Sequence, residues 1–399
     1  MNLKNPLERW NLVLWQPLAG YSVSFLALFA LLVFRITNLV PGFSPSEQLS
    51  IINSRSLQDI FNNPLFAPHS FLQYLGLKSG HFGFLAMRLP TVLTAIGCAA
   101  LFFYVCSRWF NFRVGVIATV LFVTNSWFLH VARVATPEVS MLGLLAPLAY
   151  SIWLPNHKRP LPALGLGAAV LVLMLYIPGF IWFALLGLIW QRKMLLKVWR
   201  ESKVPSILAL CACLVVLTPL LVRLTTSGSL LKLYFGLPID IMSALKALPK
   251  NLLLIPYRLA LVGPLNAESN LGRLPLLDFF AAIIGTIGAY SCATHLKLRR
   301  SQLLLAALVL GSLLVAWQGT VSITILLPFI YLLVAGGINF MIEQWFTVFP
   351  YNPFARNLAI ILITSAIIVV GFFHINRYFI AWPQAPATKA TYYFQPQKP

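Results

Sequence analysis

The chain has 399 residues, of which 59% are hydrophobic and only 10% are charged, and its formal net charge is +20. Its mean hydropathy of +0.83 excludes an ordinary soluble globular protein. The basic residues are scattered over loop ends, which argues against nucleic acid as a partner and favours anionic membrane lipids.

Apolar runs of about 20 residues indicate helices that cross a bilayer core of roughly 30 Å, because a helix satisfies its own backbone hydrogen bonds there. The sequence therefore predicts an all-α polytopic membrane protein. About eleven spans are predicted, at 19–40, 90–107, 114–131, 138–154, 161–176, 178–190, 204–223, 274–294, 302–318, 321–341 and 357–376. The break at 176–179 favours a tight turn between two short spans over a kink in one long helix.

The spans form a single transmembrane domain, 19–376, with two long loops at 41–90 and 224–273. Residues 1–18 mix tryptophans with basic residues, which is typical of an interfacial segment on the cytoplasmic side. The loop 224–273 alternates apolar and basic residues, so we expect short helices along the outer interface. Residues 377–399 form an outer tail.

The orientation follows from the short loops, because their lysines and arginines are retained on the cytoplasmic side of a membrane. The short loops that the predicted spans place on one and the same side of the membrane carry Lys4, Arg9, Arg108, Arg113, Lys158, Arg159, Arg192, Lys193, Lys197, Arg200, Lys203, Lys297, Arg299 and Arg300. This pattern places both long loops on the extracytoplasmic side.

The first long loop carries Glu47 and Asp59, two of only nine acidic residues in the chain. Ser44, Pro45 and Glu47 have the spacing of a helix start, with serine as the cap, proline at the first position and glutamate completing a capping box. The helical period then puts Glu47 opposite a stripe of apolar residues. A capping role and a catalytic role are both open for this carboxylate.

A second carboxylate, Glu138, begins the predicted fourth span on the same side of the membrane. Thr136–Pro137 supply its expected cap and first helical residue, where the helix dipole favours an acid. Arg133 lies five residues before Glu138 in the sequence. Ionisable groups at membrane depth are costly and often functional. Arg35 lies within the first predicted span, and its candidate partner is Asp278.

Taken in chain order, these features resemble the GT-C membrane glycosyltransferases of the protein O-mannosyltransferase and aminoarabinose-transferase type, which use polyprenyl-phosphate sugars. That family has an outer loop opening on an Asp-Glu pair, a Pro-aromatic stretch, a glycine turn, Arg-Leu-Pro, and an arginine followed by an acid. The similar segments, within roughly 20–340, are Ser46-Glu47, Pro68–Tyr74, Gly80–Gly83, Arg88-Leu89-Pro90, Arg133 with Glu138, and the late stretch Leu327–Gly337.

The resemblance implies transfer of a sugar from a polyprenyl-phosphate donor to a lipid, glycan or protein acceptor outside the bacterial cytoplasmic membrane. It implies Glu47 as the catalytic base. Glu138 would be a second catalytic acid that holds Arg133, orients the acceptor or binds a divalent metal ion, the one candidate cofactor. The departing phosphate needs cations, for which the candidates are Arg88, Lys78, His69 and Arg133.

Two departures from the family leave alternatives open. Ser46 stands where the family has the aspartate of its pair, and a base displaced by one residue points about 100° around a helix. The segment 319–324 also lacks the basic residue that the family carries before its late span. The alternatives are a flippase or transporter of lipid-linked sugars, and a noncatalytic relative that binds polyprenyl phosphate.

Overall fold

The computed structural model describes residues 12–79, 83–156, 160–238 and 240–394, so most of the predicted segment 1–18 and part of the glycine turn at 80–83 lie outside the described residues. Within these ranges the secondary structure is helical apart from one isolated bridge. The α-helices are α1 (Leu12–Val33), α2 (Pro45–Ile52), α3 (Leu57–Asn62), α4 (Ala67–Lys78), α5 (Phe84–Trp109), α6 (Phe112–Thr124), α7 (Ser126–Arg133), α8 (Leu145–Trp153), α9 (Pro160–Leu175), α10 (Phe180–Glu201), α11 (Lys203–Thr226), α12 (Gly228–Tyr234), α13 (Ile241–Ala260), α14 (Phe279–Thr294), α15 (Arg299–Ala316), α16 (Leu327–Val348), α17 (Pro353–Asn376), α18 (Trp382–Gln384) and α19 (Pro386–Thr391). The other helical segments are the 3-10 helices Pro137–Leu144, Leu154–Asn156 and Ile323–Leu326 and the π-helix Arg377–Ala381.

Fewer helices than predicted are long and apolar enough, by themselves, to cross a membrane. In the described part of the chain, five segments are long and apolar enough to cross a membrane: Phe84–Trp109, Lys203–Thr226, Arg299–Ala316, Ile323–Val348 and Pro353–Gln384. A sixth is obtained if α6 and α7, which are bent by 66°, form one span. Shorter apolar helices occupy Gly20–Val33, Ala163–Leu175, Phe180–Arg192 and Phe279–Thr294. The all-α membrane fold is confirmed, whereas the count of about eleven spans is not.

The structure confirms one predicted turn and departs from one predicted span. The turn at 176–179 is present between α9 and α10, with Gly179 at φ +75°, a conformation that glycine adopts without strain. The predicted span 138–154 is instead the 3-10 helix Pro137–Leu144 followed by α8. Because 3-10 runs of this length are uncommon, we attribute the departure to tertiary contacts at its start, which are described below.

α16 is the most enclosed helix of the bundle, and every residue from 327 to 339 is buried. α14 approaches it closely because glycines face backbone atoms at the contact. A Cβ added at Gly288 would meet the carbonyl of Leu333, and one added at Gly337 would meet the carbonyl of Ile284. Small residues at such positions allow membrane helices to pack backbone to backbone.

Gly288→Ala is therefore expected to lower the thermal unfolding midpoint in detergent micelles, because the new methyl group must push α14 away from α16. Overpacking of this kind typically costs about 1–3 kcal/mol. Gly97→Ala in α5 is the matched control, since a Cβ added there meets nothing within 4 Å. Equal midpoints for the two variants would show that the helix pair separates without cost.

The bend between α6 and α7 has a polar cause. Asn125 follows α6, and its side-chain oxygen accepts the N–H of Trp127 at 2.8 Å, so α7 begins with its own cap. His374 of α17 lies beside this bend, and its Nε2 is 2.9 Å from Asp278 Oδ2. Asp278 is thus paired with His374. Its expected pairing with Arg35, whose side chain is exposed, is wrong.

The outer helices α2 to α4 are amphipathic as predicted, with the polar face turned into the protein. Leu49 and Leu57 are 60% and 56% exposed, whereas Ser50 and Ser54 are buried. Both serine hydroxyls donate to Gln73 Oε1, at 2.9 and 3.0 Å. An apolar outer face suits helices that lie at a membrane interface. The inner face brings polar side chains towards the ends of the spans.

The tail returns to this outer segment and pairs with it. Phe43 and Phe394 exchange backbone hydrogen bonds of 2.7 and 3.2 Å. The neighbouring Gly42 lies so close to the tail backbone that an added Cβ would overlap Phe394. Tyr392 is fully buried beside this pairing. The tail therefore packs against the segment that precedes α2.

Candidate functional site

Glu47 is positioned by the helix start that the sequence predicts. Ser44 Oγ accepts the N–H of Glu47 at 3.2 Å, and Glu47 Oε2 accepts the N–H of Ser44 at 3.1 Å, so the capping box is complete. The same carboxylate pairs with Arg88, with Oε1 2.8 Å from Nε and Oε2 3.0 Å from Nη2. Its Oε1 also accepts the N–H of Ala135 at 2.8 Å.

Neither member of this ion pair is accessible to a substrate. Glu47 is 0% exposed and Arg88 is 3% exposed. The Arg88 guanidinium also donates to the carbonyls of Ile36 at 2.8 Å and Gly42 at 3.2 Å. A general base must reach the proton that it removes, and both Glu47 oxygens already accept two hydrogen bonds each. The geometry therefore favours a structural role for the pair over the predicted base and phosphate-binding roles.

His69 is a poor phosphate ligand for a different reason. It lies on the buried side of α4, and its Nε2 is 3.0 Å from Thr91 Oγ1. Burial lowers the pKa of His69 from 6.5 to about 4. The ring is then neutral near pH 7 and lacks the positive charge that the predicted phosphate-binding role requires.

The stability of the fold should depend on pH through His69. Between about pH 6.5 and 4 the unfolded chain holds a proton on this ring that the folded chain does not, so the free energy of unfolding decreases as pH falls through this window. The expected loss is up to about 3 kcal/mol. Thermal unfolding midpoints of wild type and His69→Gln, measured from pH 7 to 4, should show a flatter acid limb for the variant. Parallel profiles would assign the acid sensitivity to other groups.

The two remaining predicted cations lie in different surroundings. Lys78 is exposed in the last turn of α4, with its Nζ 5.7 Å from the centre of the Tyr74 ring. Arg133 is only 2% exposed. It donates to the carbonyls of Leu31 at 3.0 Å and Phe34 at 2.6 Å, at the end of α1. Lys78 remains accessible, whereas Arg133 joins α7 to α1.

Glu138 is held by a distant segment of the chain. Its Oε2 accepts hydrogen bonds from Ser322 Oγ at 3.4 Å and Thr324 Oγ1 at 3.2 Å. The expected contact with Arg133 is wrong, because that guanidinium is turned towards α1. Thr136 precedes the 3-10 helix but makes no side-chain cap. The other oxygen of the half-buried Glu138 carboxylate has no hydrogen-bond partner among the described residues, which leaves it open to a ligand.

A cavity of about 200 Å³ adjoins the segment that holds Glu138. Val321 and Ile323 line it, alternating along the chain with the residues that bind the carboxylate. Arg258 of α13 also lines this cavity, and in the described residues its guanidinium has no hydrogen bond or ion pair. This space is large enough for several water molecules or a small polar ligand.

Glu268, in the second outer loop, was missed by sequence analysis. Its Oε1 accepts the N–H of Ser46 at 3.2 Å and also the Ser46 hydroxyl. The charges of Glu268 and Glu138 are close enough to interact. No local periodicity could link these positions, because they are far apart in the sequence. The feature of the sequence that could have indicated Glu268 is the scarcity of acidic residues, because Glu268 is one of only nine in the chain.

No group of three histidine, cysteine, aspartate or glutamate side chains that could hold a metal ion occurs in the part of the chain that the structure describes. Glu138 and Glu268 are a pair without a third such ligand. The described residues therefore do not form a ready site for the candidate divalent metal ion.

Comparison with known proteins identifies a fold. No protein-family model matches the sequence, and no curated protein matches it. The solved structure of ArnT from Cupriavidus metallidurans in the apo state aligns with a TM-score of 0.53 at 13% identity, over 94% of this chain and 77% of ArnT. The structure of ArnT bound to undecaprenyl phosphate aligns with a TM-score of 0.54 at 13% identity, over 93% and 76% of the two chains. The chain therefore has the fold of ArnT, and its resemblance to GT-C glycosyltransferases of the aminoarabinose-transferase type is confirmed as a resemblance of fold.

Proposed function

We propose that the protein is a membrane glycosyltransferase that moves a sugar from a polyprenyl-phosphate carrier to an acceptor on the extracytoplasmic face. The observation that carries this proposal is the fold match over 93% of the chain to ArnT bound to undecaprenyl phosphate. The acceptor is a lipid, a glycan or a protein. The orientation deduced from the basic short loops supports the outer location.

The proposed site is the cavity between α13 and the segment 321–324, together with Glu138. Arg258 can bind the phosphate oxygens of the donor, since a guanidinium matches them with two parallel hydrogen bonds. Glu138 has a free carboxylate oxygen that can accept a hydrogen bond from a sugar or acceptor hydroxyl. Lys78 remains a candidate for a more distant contact with the carrier. A cation beside the departing phosphate stabilises the charge that develops on it.

This assignment moves the phosphate-binding role from Arg88 to Arg258. The Arg88 guanidinium is occupied by Glu47 and by two backbone carbonyls, whereas Arg258 has no such partner in the described residues. Arginine paired with a buried carboxylate is costly to release. The free guanidinium at the cavity is therefore the better ligand.

The test is to incubate the purified protein in liposomes with radiolabelled polyprenyl-phosphate sugars and to follow the label. Transfer of label to a lipid or water-soluble acceptor would support the proposal. Movement of the intact carrier between leaflets without transfer would establish the flippase alternative. Saturable binding alone would establish a noncatalytic relative, the alternative favoured by Ser46 in place of a carboxylate and by the enclosure of Glu47.

A further inference from the structure

We propose that Glu268, held by Ser46, is the general base of the transfer reaction. This inference rests on the proposed function and assigns the step for which Glu47 is unavailable. The two residues come from different outer segments, which the fold brings together at the start of α2.

The contact places one carboxylate oxygen and leaves the other free. Ser46 donates to Oε1 of Glu268 through its backbone N–H, at 3.2 Å, and through its hydroxyl group. Among the described residues, Oε2 has no hydrogen-bond partner. Glu268 is thus both oriented and able to accept a proton.

The backbone around Glu268 is fixed as a catalytic group requires. Its N–H donates to Asn266 Oδ1 at 3.0 Å, and its carbonyl accepts the Tyr392 hydroxyl at 2.8 Å. Asn270 then donates to the carbonyls of Pro264 at 3.1 Å and Leu274 at 2.9 Å. The loop that carries the carboxylate is therefore anchored on both sides of it.

The position of Glu268 also fits the proposed site. Pro264, in the same loop, lines the cavity together with Arg258. Glu138 is held by Ser322 and Thr324, which alternate along the chain with cavity-lining residues. A donor whose phosphate binds Arg258 would therefore have carboxylates near its sugar, where an acceptor hydroxyl must be deprotonated.

The contrast with Glu47 separates the two roles. Glu47 is 0% exposed, and its four hydrogen bonds include two from Arg88. Glu268 is half-buried and is bound on one oxygen only. The acid that completes the capping box thus stabilises the outer segment, and the acid that contacts the neighbouring Ser46 performs the chemistry.

In the proposed step, Glu268 removes the proton of the acceptor hydroxyl while the oxygen of that hydroxyl attacks the anomeric carbon of the sugar. A new carbon–oxygen bond forms, and the bond between the anomeric carbon and the phosphate oxygen breaks. Its electron pair leaves with polyprenyl phosphate, whose added negative charge Arg258 stabilises. Glu268 afterwards returns the proton to water. The products are the glycosylated acceptor and polyprenyl phosphate.

The experiment compares wild type, Glu268→Gln and Glu268→Ala with Asp59→Asn, a control that removes a carboxylate hydrogen-bonded to Ser56 elsewhere in the outer segment. Transfer is measured over a range of labelled-donor concentrations that reaches saturation, which gives both kcat and the KM for the donor. Loss of a general base should lower kcat about 100- to 10,000-fold in both Glu268 variants, with the KM for the donor changed less than about threefold. Asp59→Asn should retain wild-type kcat.

Added formate distinguishes a base from a structural contact. It should restore part of the activity of Glu268→Ala, because a small carboxylate can occupy the vacated space, and should leave Glu268→Gln unchanged. Activity of Glu268→Gln near that of wild type would overturn the base assignment and leave the proposed function standing. A loss that formate does not restore, accompanied by a lower unfolding midpoint, would make Glu268 structural. A wild type that transfers no label from any donor would overturn the proposed function and the base with it.

Discussion

Glu47→Gln should destabilise the folded protein by about 3–5 kcal/mol, because it leaves the Arg88 guanidinium buried without its counter-charge. The amide group of the new glutamine side chain destabilises the fold further. Its NH2 must face donors where Oε2 now accepts hydrogen bonds from Arg88 and from the N–H of Ser44. The thermal unfolding midpoint of the purified variant in detergent micelles measures the effect. Any loss of transfer by this variant should follow its loss of fold.

A double-mutant cycle with Arg88→Met isolates the ion pair. The single variants Glu47→Met and Arg88→Met should each be strongly destabilised, and the double variant that combines them should recover a large part of the loss, because no buried charge then remains. Asp59→Asn, which removes a less buried carboxylate, should change the midpoint little. A Glu47→Gln protein with an unchanged midpoint and no transfer activity would instead restore the base role that the sequence predicted.

Arg258→Ala should weaken binding of undecaprenyl phosphate by about 10- to 150-fold, the equivalent of a charge-assisted hydrogen bond. The dissociation constant of Arg258→Lys should lie between those of wild type and Arg258→Ala, because an ammonium group keeps the charge and loses the paired geometry. Titration of the labelled lipid phosphate against protein in nanodiscs measures the dissociation constants.

Lys250→Ala supplies the matched control for Arg258→Ala. Lys250 is an exposed cation on the same helix, α13, but it does not line the cavity. Its loss should change affinity little at physiological salt, where exposed charges are screened. Equal dissociation constants for the two alanine variants would mean that Arg258 contributes only general charge and that the phosphate binds elsewhere.

Local features of the fold were predictable because they depend on neighbouring residues. Ser44, Pro45 and Glu47 specify a helix start through spacing alone, and the structure has this helix start with its capping box complete. The orientation of Glu47 away from the apolar stripe followed from the helical period. The same reasoning could not show that the polar face turns inward, since this depends on the hydrogen-bond partners that Gln73 and other distant residues supply.

The number of spans was less predictable, because hydropathy reports composition and not helix geometry. Asn125 interrupts an apolar run with a cap for the next helix, and the resulting bend of 66° is invisible to a hydropathy window. Pro137–Leu144 winds as a 3-10 helix whose first carboxylate is held by Ser322 and Thr324. At both places polar side chains make contacts that a hydropathy window does not report.

The site depended on contacts that sequence spacing cannot reveal. Glu47 has the sequence position of a base, but its carboxylate is paired with Arg88 in the folded chain. Glu268 is brought to Ser46 by a contact that no local spacing indicates. The resemblance to a known family identified the correct fold. It could not indicate which carboxylate is free, because this is decided by the partners that each one acquires in the folded chain.

The backbone pairing of Phe43 with Phe394 has a consequence for biogenesis. Chains emerge from the ribosome and enter the membrane from the N-terminus onwards, so the segment around Phe43 is inserted long before its partner is synthesised. Tyr392, which supports the Glu268 loop, arrives equally late. The segment around Phe43 and the loop of Glu268 should therefore reach their final packing only after residues 386–394 have been synthesised.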